Sequence, residues 1–305
     1  MAKNKITLPR DSSFDDVTPE QEIHLSGGHS RVNLTSEGTV VFGDSGDDDI
    51  ISSHGAHTVI GGGGHTTVNA TGGTPLVFGG SGTLLFSGGT AAATVVASAG
   101  ASTVFANSGG GHFWGGEGEL LFVGGSGAST VVGGSGSTTL FGGRGGHDLL
   151  VAGTGNSTVI GGGEGAVIVG RGRGHDDLIA GSGHETLVGS AEGGDDVLFA
   201  GSGSTALFGG TGNTTLVAST GDSQMIGGSG HDLYMFAKGA AGNDDTIWDF
   251  HHGEDHVALF GHEPNAVRDA LERATVAFGS TTVRLSDNTR ITFAGVSDLR
   301  SSDFI

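Results

Sequence analysis

The chain has 305 residues, and 33 Asp and Glu against 13 Lys and Arg give a net charge of -20, which argues against nucleic acid or anionic lipid as a partner and in favour of cations. Sixty-three glycines with only four prolines and no Gly-X-Y period exclude both collagen and a disordered linker, and the lack of cysteine excludes disulfides and thiol chemistry. No run of eighteen apolar residues is present, so no membrane insertion is expected, and Met1 to Leu25 holds no apolar core of a cleavable leader.

Residues 1–26 are polar and unperiodic, with one short strand predicted at Lys5 to Leu8 and ended by Pro9, and read as an N-terminal arm or cap. From Gly27 a repeat begins irregularly (GGHSRVNLT, SEGTVVF) and settles at GDSGDDDII, with Asp48 at position six of nine. Over the next eight repeats position six holds His57, Thr66, Pro75, Leu84, Ala93, Ser102, Gly111 and Leu120, none of them a good calcium ligand. The pattern is cleanest from Gly124 to Ile160: GGSGASTVV, GGSGSTTLF, GRGGHDLLV, AGTGNSTVI.

Glycine at positions one, two and four suits a turn, and the branched or aromatic pair at eight and nine suits a short strand. A repeat this short has no core of its own and must stack, so two nonapeptides are expected to close one coil of about eighteen residues, with coils about 4.8 Å apart as parallel strands. Strand alternation turns positions six and eight inward and seven and nine outward. Aspartate returns at position six with Asp148, Asp176, Asp196 and Asp232, and insertions at Gly142, Gly170 and Gly189-Ser190 fall in turns.

GRGGHDLLV, RGRGHDDLI, AEGGDDVLF and GGSGHDLYM carry the glycine-x-aspartate core of the RTX, or haemolysin-type calcium-binding, nonapeptide, and the array resembles that family over most of residues 27–250. The resemblance implies an all-β fold, a right-handed parallel β-roll, with Asp48, Asp148, Asp176, Asp196, Asp232, Asp244 and Asp245 as calcium ligands. In the family an Asp and its counterpart two repeats on clamp one ion. Only Asp176 and Asp196 stand at that spacing, so few ions are expected, mainly in the C-terminal half.

The phrase Asn243 to Phe250 resembles the end of repeat arrays in proteins exported by type I secretion, and the final Ser-Ser-Asp-Phe-Ile resembles the uncleaved signals such chains carry. Residues 251–305 are therefore read as a C-terminal α+β cap and secretion signal. The cap comprises an amphipathic helix over Glu263 to Ala274, strands at Thr275 to Phe278, Thr281 to Leu285 and Arg290 to Phe293, and a turn at Ser286-Asp287-Asn288. The resemblance makes the type I secretion machinery a partner and the product extracellular or cell-surface.

Fourteen histidines lie mostly in turns; the densest cluster, His251 and His252 with Asp249, Glu254, Asp255 and His256, is a weaker metal candidate. No nucleophile–base order, nucleotide loop or HExxH helix is present, and about twenty-five residues precede the array where relatives carry an enzyme or toxin domain, so no enzyme is expected.

Position nine is apolar in most repeats, including Phe78, Val96, Phe105, Trp114, Val123, Val132 and Phe141. These side chains either tuck under the turns or align as exposed ladders that would mark a self-association surface. The resulting expectation is a secreted, partly calcium-dependent structural protein that builds a surface layer, filament or extracellular matrix. An ice-binding protein, favoured by threonines at position seven but disfavoured by Leu76, Leu85, His112, Leu121 and Leu149 among them, and a calcium-binding adhesion module are the alternatives.

Overall fold

In a computed structural model of the chain, which describes residues 4–240 and 244–305, nearly all regular structure is β-strand, with a single seven-residue α-helix at Ala266–Glu272 among the described residues. The strands fall into two compact units, Met1–Thr154 and Gly155–Ile305. Asn243, which opens the closing phrase of the array, lies outside the described residues.

In the first unit the chain alternates between two parallel sheets. One holds Val40–Phe42, Thr58–Ile60, Leu76–Phe78, Ala93–Val96, Gly111–Trp114, Ser129–Val132 and Leu149–Val151, each hydrogen-bonded to the next. The other holds Asp47–Ser52, His65–Ala70, Thr83–Ser87, Ser102–Phe105, Leu120–Val123 and Thr138–Phe141. Partners such as Leu84, Ser102 and Leu120 are eighteen residues apart, so each coil is two nonapeptides, as the period predicts.

The expectation of an arm or cap over residues 1–26 is corrected. Asn4–Thr7 pairs in parallel with Gln21–His24, which pairs with Val40–Phe42, and Ser13–Asp16 pairs with His29–Leu34. The roll thus begins before Gly27. Its first turns use Asp11 (φ 55°) and Glu20 (φ 59°) in the left-handed region where later coils use glycine, which hides the repeat.

Position eight fills the interior. Val77, Phe86, Val104, Phe113, Phe122, Val131, Leu140 and Leu150 are at most 1 % exposed, and Phe113 stands between Phe86 and Phe122 with ring centroids 6.3 and 4.9 Å away. Turns stack as closely as strands: a side chain at Gly134 would collide with the carbonyl oxygen of Gly116 in the coil before it, whose own position is fixed by the bond from Ser135 N (3.0 Å).

In the second unit Ser157–Ile160, Asp176–Ile179, Val197–Phe199, Thr215–Val217, Leu233–Ala237 and His256–Phe260 form one parallel sheet, so strands continue past the expected end at residue 250. The other runs through Val167–Val169, Glu185–Val188, Thr205–Gly210, Ser223–Gly228 and Asp244–Ile247. Arg290–Phe293 then adds in parallel to Asp244–Ile247, and Ser280–Arg284 and Thr275–Ala277 add antiparallel. The α+β cap is therefore an extension of the sheet. The helix is shorter than the predicted Glu263 to Ala274, and of its residues only Ala270 is buried.

Phe122→Ala empties a fully buried site and is expected to cost about 3–5 kcal/mol, whereas Phe141→Ala, at a position 37 % exposed, should cost much less. Urea unfolding of the two variants checks this; equal losses would contradict the inward and outward assignment of positions eight and nine.

Candidate functional site

The aspartates of position six share the inner side of the strand with position eight, and Asp48, Asp148, Asp176, Asp196, Asp232 and Asp245 are all 0–3 % exposed. A buried carboxylate needs donors, and the turns supply them from two successive coils. Asp148 accepts from Ser129 N (2.7 Å) and Gly143 N (2.8 Å), Asp176 from Ser157 N (2.9 Å) and Arg171 N (2.9 Å), and Asp196 from Asp176 N (3.0 Å) and Ser190 N (2.7 Å). Asp232 takes Thr214 N (2.8 Å), Asp245 takes Ser223 N (2.9 Å), and Asp48 takes Asp44 N (3.2 Å). Each of these acids except Asp48 thus ties one turn to the coil before it. Asp244 does not join them: it faces outward and forms an ion pair with Arg290.

Two members of this set escape a reading of the repeats. Asp255, 3 % exposed, accepts from Asp232 N (3.0 Å) and His251 N (2.8 Å), so Glu254-Asp255-His256-Val257 is positions five to eight of a further, irregular repeat. Asp232 and Asp255 therefore form a second pair two repeats apart, besides Asp176 and Asp196. Glu185 at position six is 2 % exposed and accepts from Gly181 N. The histidine cluster divides: His251 stays beside Asp255 (3.7 Å), whereas His252 turns to Asp303 (2.9 Å) and Asp298 (3.2 Å) in the C-terminal segment. Among the described residues no three His, Asp or Glu side chains converge as a metal centre, so any ion here must draw on turn carbonyls.

Burial pushes the carboxyls of Asp48, Asp176 and Asp232 up to about 6 and that of Asp245 up to about 7. It also raises Asp148, Asp196, Asp255 and Glu185, and in every case the turn amides offset only part of the effect. Asp48 Oδ1, Asp245 Oδ2 and Glu185 Oε1 are buried and find no hydrogen-bond partner among the described residues. At Gly170 the place a Cβ would fill lies 3.2 Å from Asp176 Oδ2 and 3.3 Å from Asp196 Oδ2, so carboxylates of two coils converge on ground left free by a glycine. Calcium takes six to eight oxygens. Two buried carboxylates with turn carbonyls around them fit that ion, and Asp176 with Asp196 would hold it, supplying charge neutralisation that the amides alone do not.

The outward faces differ in kind. Phe78, Phe105, Trp114 and Phe141 at position nine are 37–41 % exposed, which decides between tucked and outward-facing ladders; Val96, Val123 and Val132 are half-buried in the same rows. Leu85, Leu121 and Leu149 at position seven add to them. No Asp, Glu, Lys or Arg occurs between Asp49 and Glu117, nor between Glu119 and Arg144, so these faces carry almost no charge in a strongly acidic protein.

Residues 133–270 match the family model described as Peptidase M10 serralysin C terminal. The repeats within that match are RTX repeats. The chain is also similar in structure to the extracellular lipase LipA from Serratia marcescens, at 14% identity and a TM-score of 0.28, over 79% of this chain and 45% of the lipase. The chain thus spans less than half the length of that enzyme. No curated protein matches it. In RTX terms the array here is uneven, with acid-bearing turns concentrated from Asp148 onward and acid-free position-six residues from His57 to Thr138.

A carboxyl whose pKa is raised by folding takes up a proton on folding between its unfolded value near 4 and its folded value. Metal-free protein in chelator should therefore melt higher at pH 5 than at pH 7.5, losing stability as pH rises through about 6 to 7, and Asp245→Asn should flatten that slope. His57, buried with its pKa lowered, opposes this as one group against eight carboxyls. Melting temperatures that fall steadily from pH 7.5 to 5 in chelator would contradict the assignment.

Proposed function

We propose that this chain is a secreted, non-enzymatic RTX roll that assembles with copies of itself into a surface layer, filament or extracellular matrix, with calcium locking the acid-bearing turns. The observation that carries the reading is the nearly uncharged, outward-facing apolar ladder of residues 50–143. Phe78, Trp114, Phe105 and Phe141 remain in water in the single chain, and transferring such surface into a contact gains roughly 25 cal/mol per Å². Of the acidic residues behind the net charge of -20 only Glu117 and Glu119 lie in this stretch, and salt screens the repulsion beyond about 8–10 Å. Neutral faces are therefore where two copies approach at least cost.

The position-six carboxyls support a structural role, because they are turned inward onto turn amides and away from any solvent-borne substrate. The C-terminal segment supports export before folding. Phe304 is buried, Ile305 N bonds to Val257 O (3.0 Å), and Asp303 accepts from Arg300 N (2.7 Å), so an exporter that reads the last residues must meet them before the cap closes.

Calcium-loaded protein should self-associate in light scattering, and Phe105→Lys with Phe141→Lys on one face, or Trp114→Lys on the other, should reduce that association at least about tenfold while circular dichroism stays unchanged. Monodisperse wild-type protein with and without calcium at pH 7 and 5 would overturn the reading, and thermal hysteresis in the same samples would put ice binding in its place.

A further inference from the structure

The geometry points to a binding site for an acidic polysaccharide on the C-terminal cap, held by Arg273, Arg284 and Arg290 beside a row of threonines. The inference is independent of self-association. Its ground is a cavity of about 740 Å³ on the outward face of the four cap strands.

Two parallel rows of side chains cross that face. The pairing Thr246 with Thr292, Thr292 with Thr282 and Thr282 with Thr275 sets four hydroxyls side by side over four strands, about 4.8 Å per step, with Thr282 Oγ1 3.0 Å from Thr292 Oγ1. Two residues along each strand, the pairing Asp244 with Arg290 and Arg290 with Arg284 sets the charged row, and Arg273 lines the same cavity from the end of the helix. Strand alternation keeps both rows on one side: Thr281 and Val283, which alternate with Thr282 and Arg284, are buried on the other.

The charges are poised for an anion. Arg290 is neutralised by Asp244, whereas Arg273 and Arg284 make no ion pair among the described residues, although carboxylates outnumber basic groups 33 to 13 in this chain. Two exposed guanidinium groups left without carboxylates offer forked donors suited to carboxylate or sulfate. The threonine hydroxyls both donate and accept, which suits a ligand that carries hydroxyls as well as anionic groups. A sugar polymer bearing carboxylate or sulfate has both, repeated along its length; an acidic peptide has only the anion.

The test uses calcium-loaded, full-length protein with three probes: dextran sulfate, neutral dextran and polyglutamate. Calorimetry should show binding to dextran sulfate that weakens with salt, no binding to dextran, and weaker binding to polyglutamate. Arg273→Ala with Arg284→Ala should weaken dextran sulfate binding about tenfold or more, Thr282→Val with Thr292→Val a few-fold, and Arg268→Ala, whose side chain pairs with Asp269 outside the cavity, not at all. Because all three arginines are exposed, circular dichroism is expected to be unchanged in the variants. Retention of dextran sulfate binding in the double arginine variant, equal binding of polyglutamate, or no binding of any probe to the wild type would each overturn the proposal.

Discussion

The constraint on which the structure depends is the eighteen-residue parallel register. Once a coil is two nonapeptides long, each position lies directly over its counterpart in the next coil, and a single residue type at one position becomes a column. Position eight becomes a hydrophobic core, position nine a surface ladder, and position six an inward column of either residues without a carboxyl, such as Thr66, Leu84 and Ser102, or buried acids. A break in phase would send the core side chains to the surface. The insertions at Gly142, Gly170 and Gly189-Ser190 avoid that because they lengthen turns and leave the strand alternation intact: Val131 still faces Leu150 although the two are nineteen residues apart.

The same register gives the array two kinds of turn. Turns with no acid at position six, such as those around Leu84 and Ser102, are held by packing and by bonds between coils, and nothing buried in them changes charge. Acid-bearing turns concentrate charge in the interior, where burial raises the carboxyl pKa and the turn amides only partly compensate. Their remaining demand is for a cation or a proton. Calcium outside a cell would meet it, and it would do so where Asp176 joins Asp196 and Asp232 joins Asp255.

Most of this architecture was legible in the sequence because glycine, β-branched residues and aspartate recur at fixed positions with a distinct physical reason for each. The inward direction of Asp148 and the outward direction of Phe105 follow from strand alternation alone. The first coil was hidden, because Asp11 and Glu20 make its turns without glycine. Asp255 was hidden for a similar reason: its turn is spelled Asp249-Phe250-His251-His252-Gly253, and Asp249 is spent on Gly227 N (2.9 Å) and Gly228 N (2.8 Å). The arginine face of the cap could not be read at all. It depends on Arg290 pairing with Asp244, 46 residues earlier, a register fixed by the hairpin folding back onto the last coil and not by any local pattern.

Amide hydrogen exchange read segment by segment, with calcium and in chelator, tests the division of the roll most directly. Calcium should slow exchange at the amides that face buried acids, among them Ser157, Arg171, Ser190, Thr214 and Ser223, and should leave the strands and turns from residue 52 to 128 unchanged. A uniform gain of protection along the whole array, or a gain confined to the acid-free coils, would contradict it.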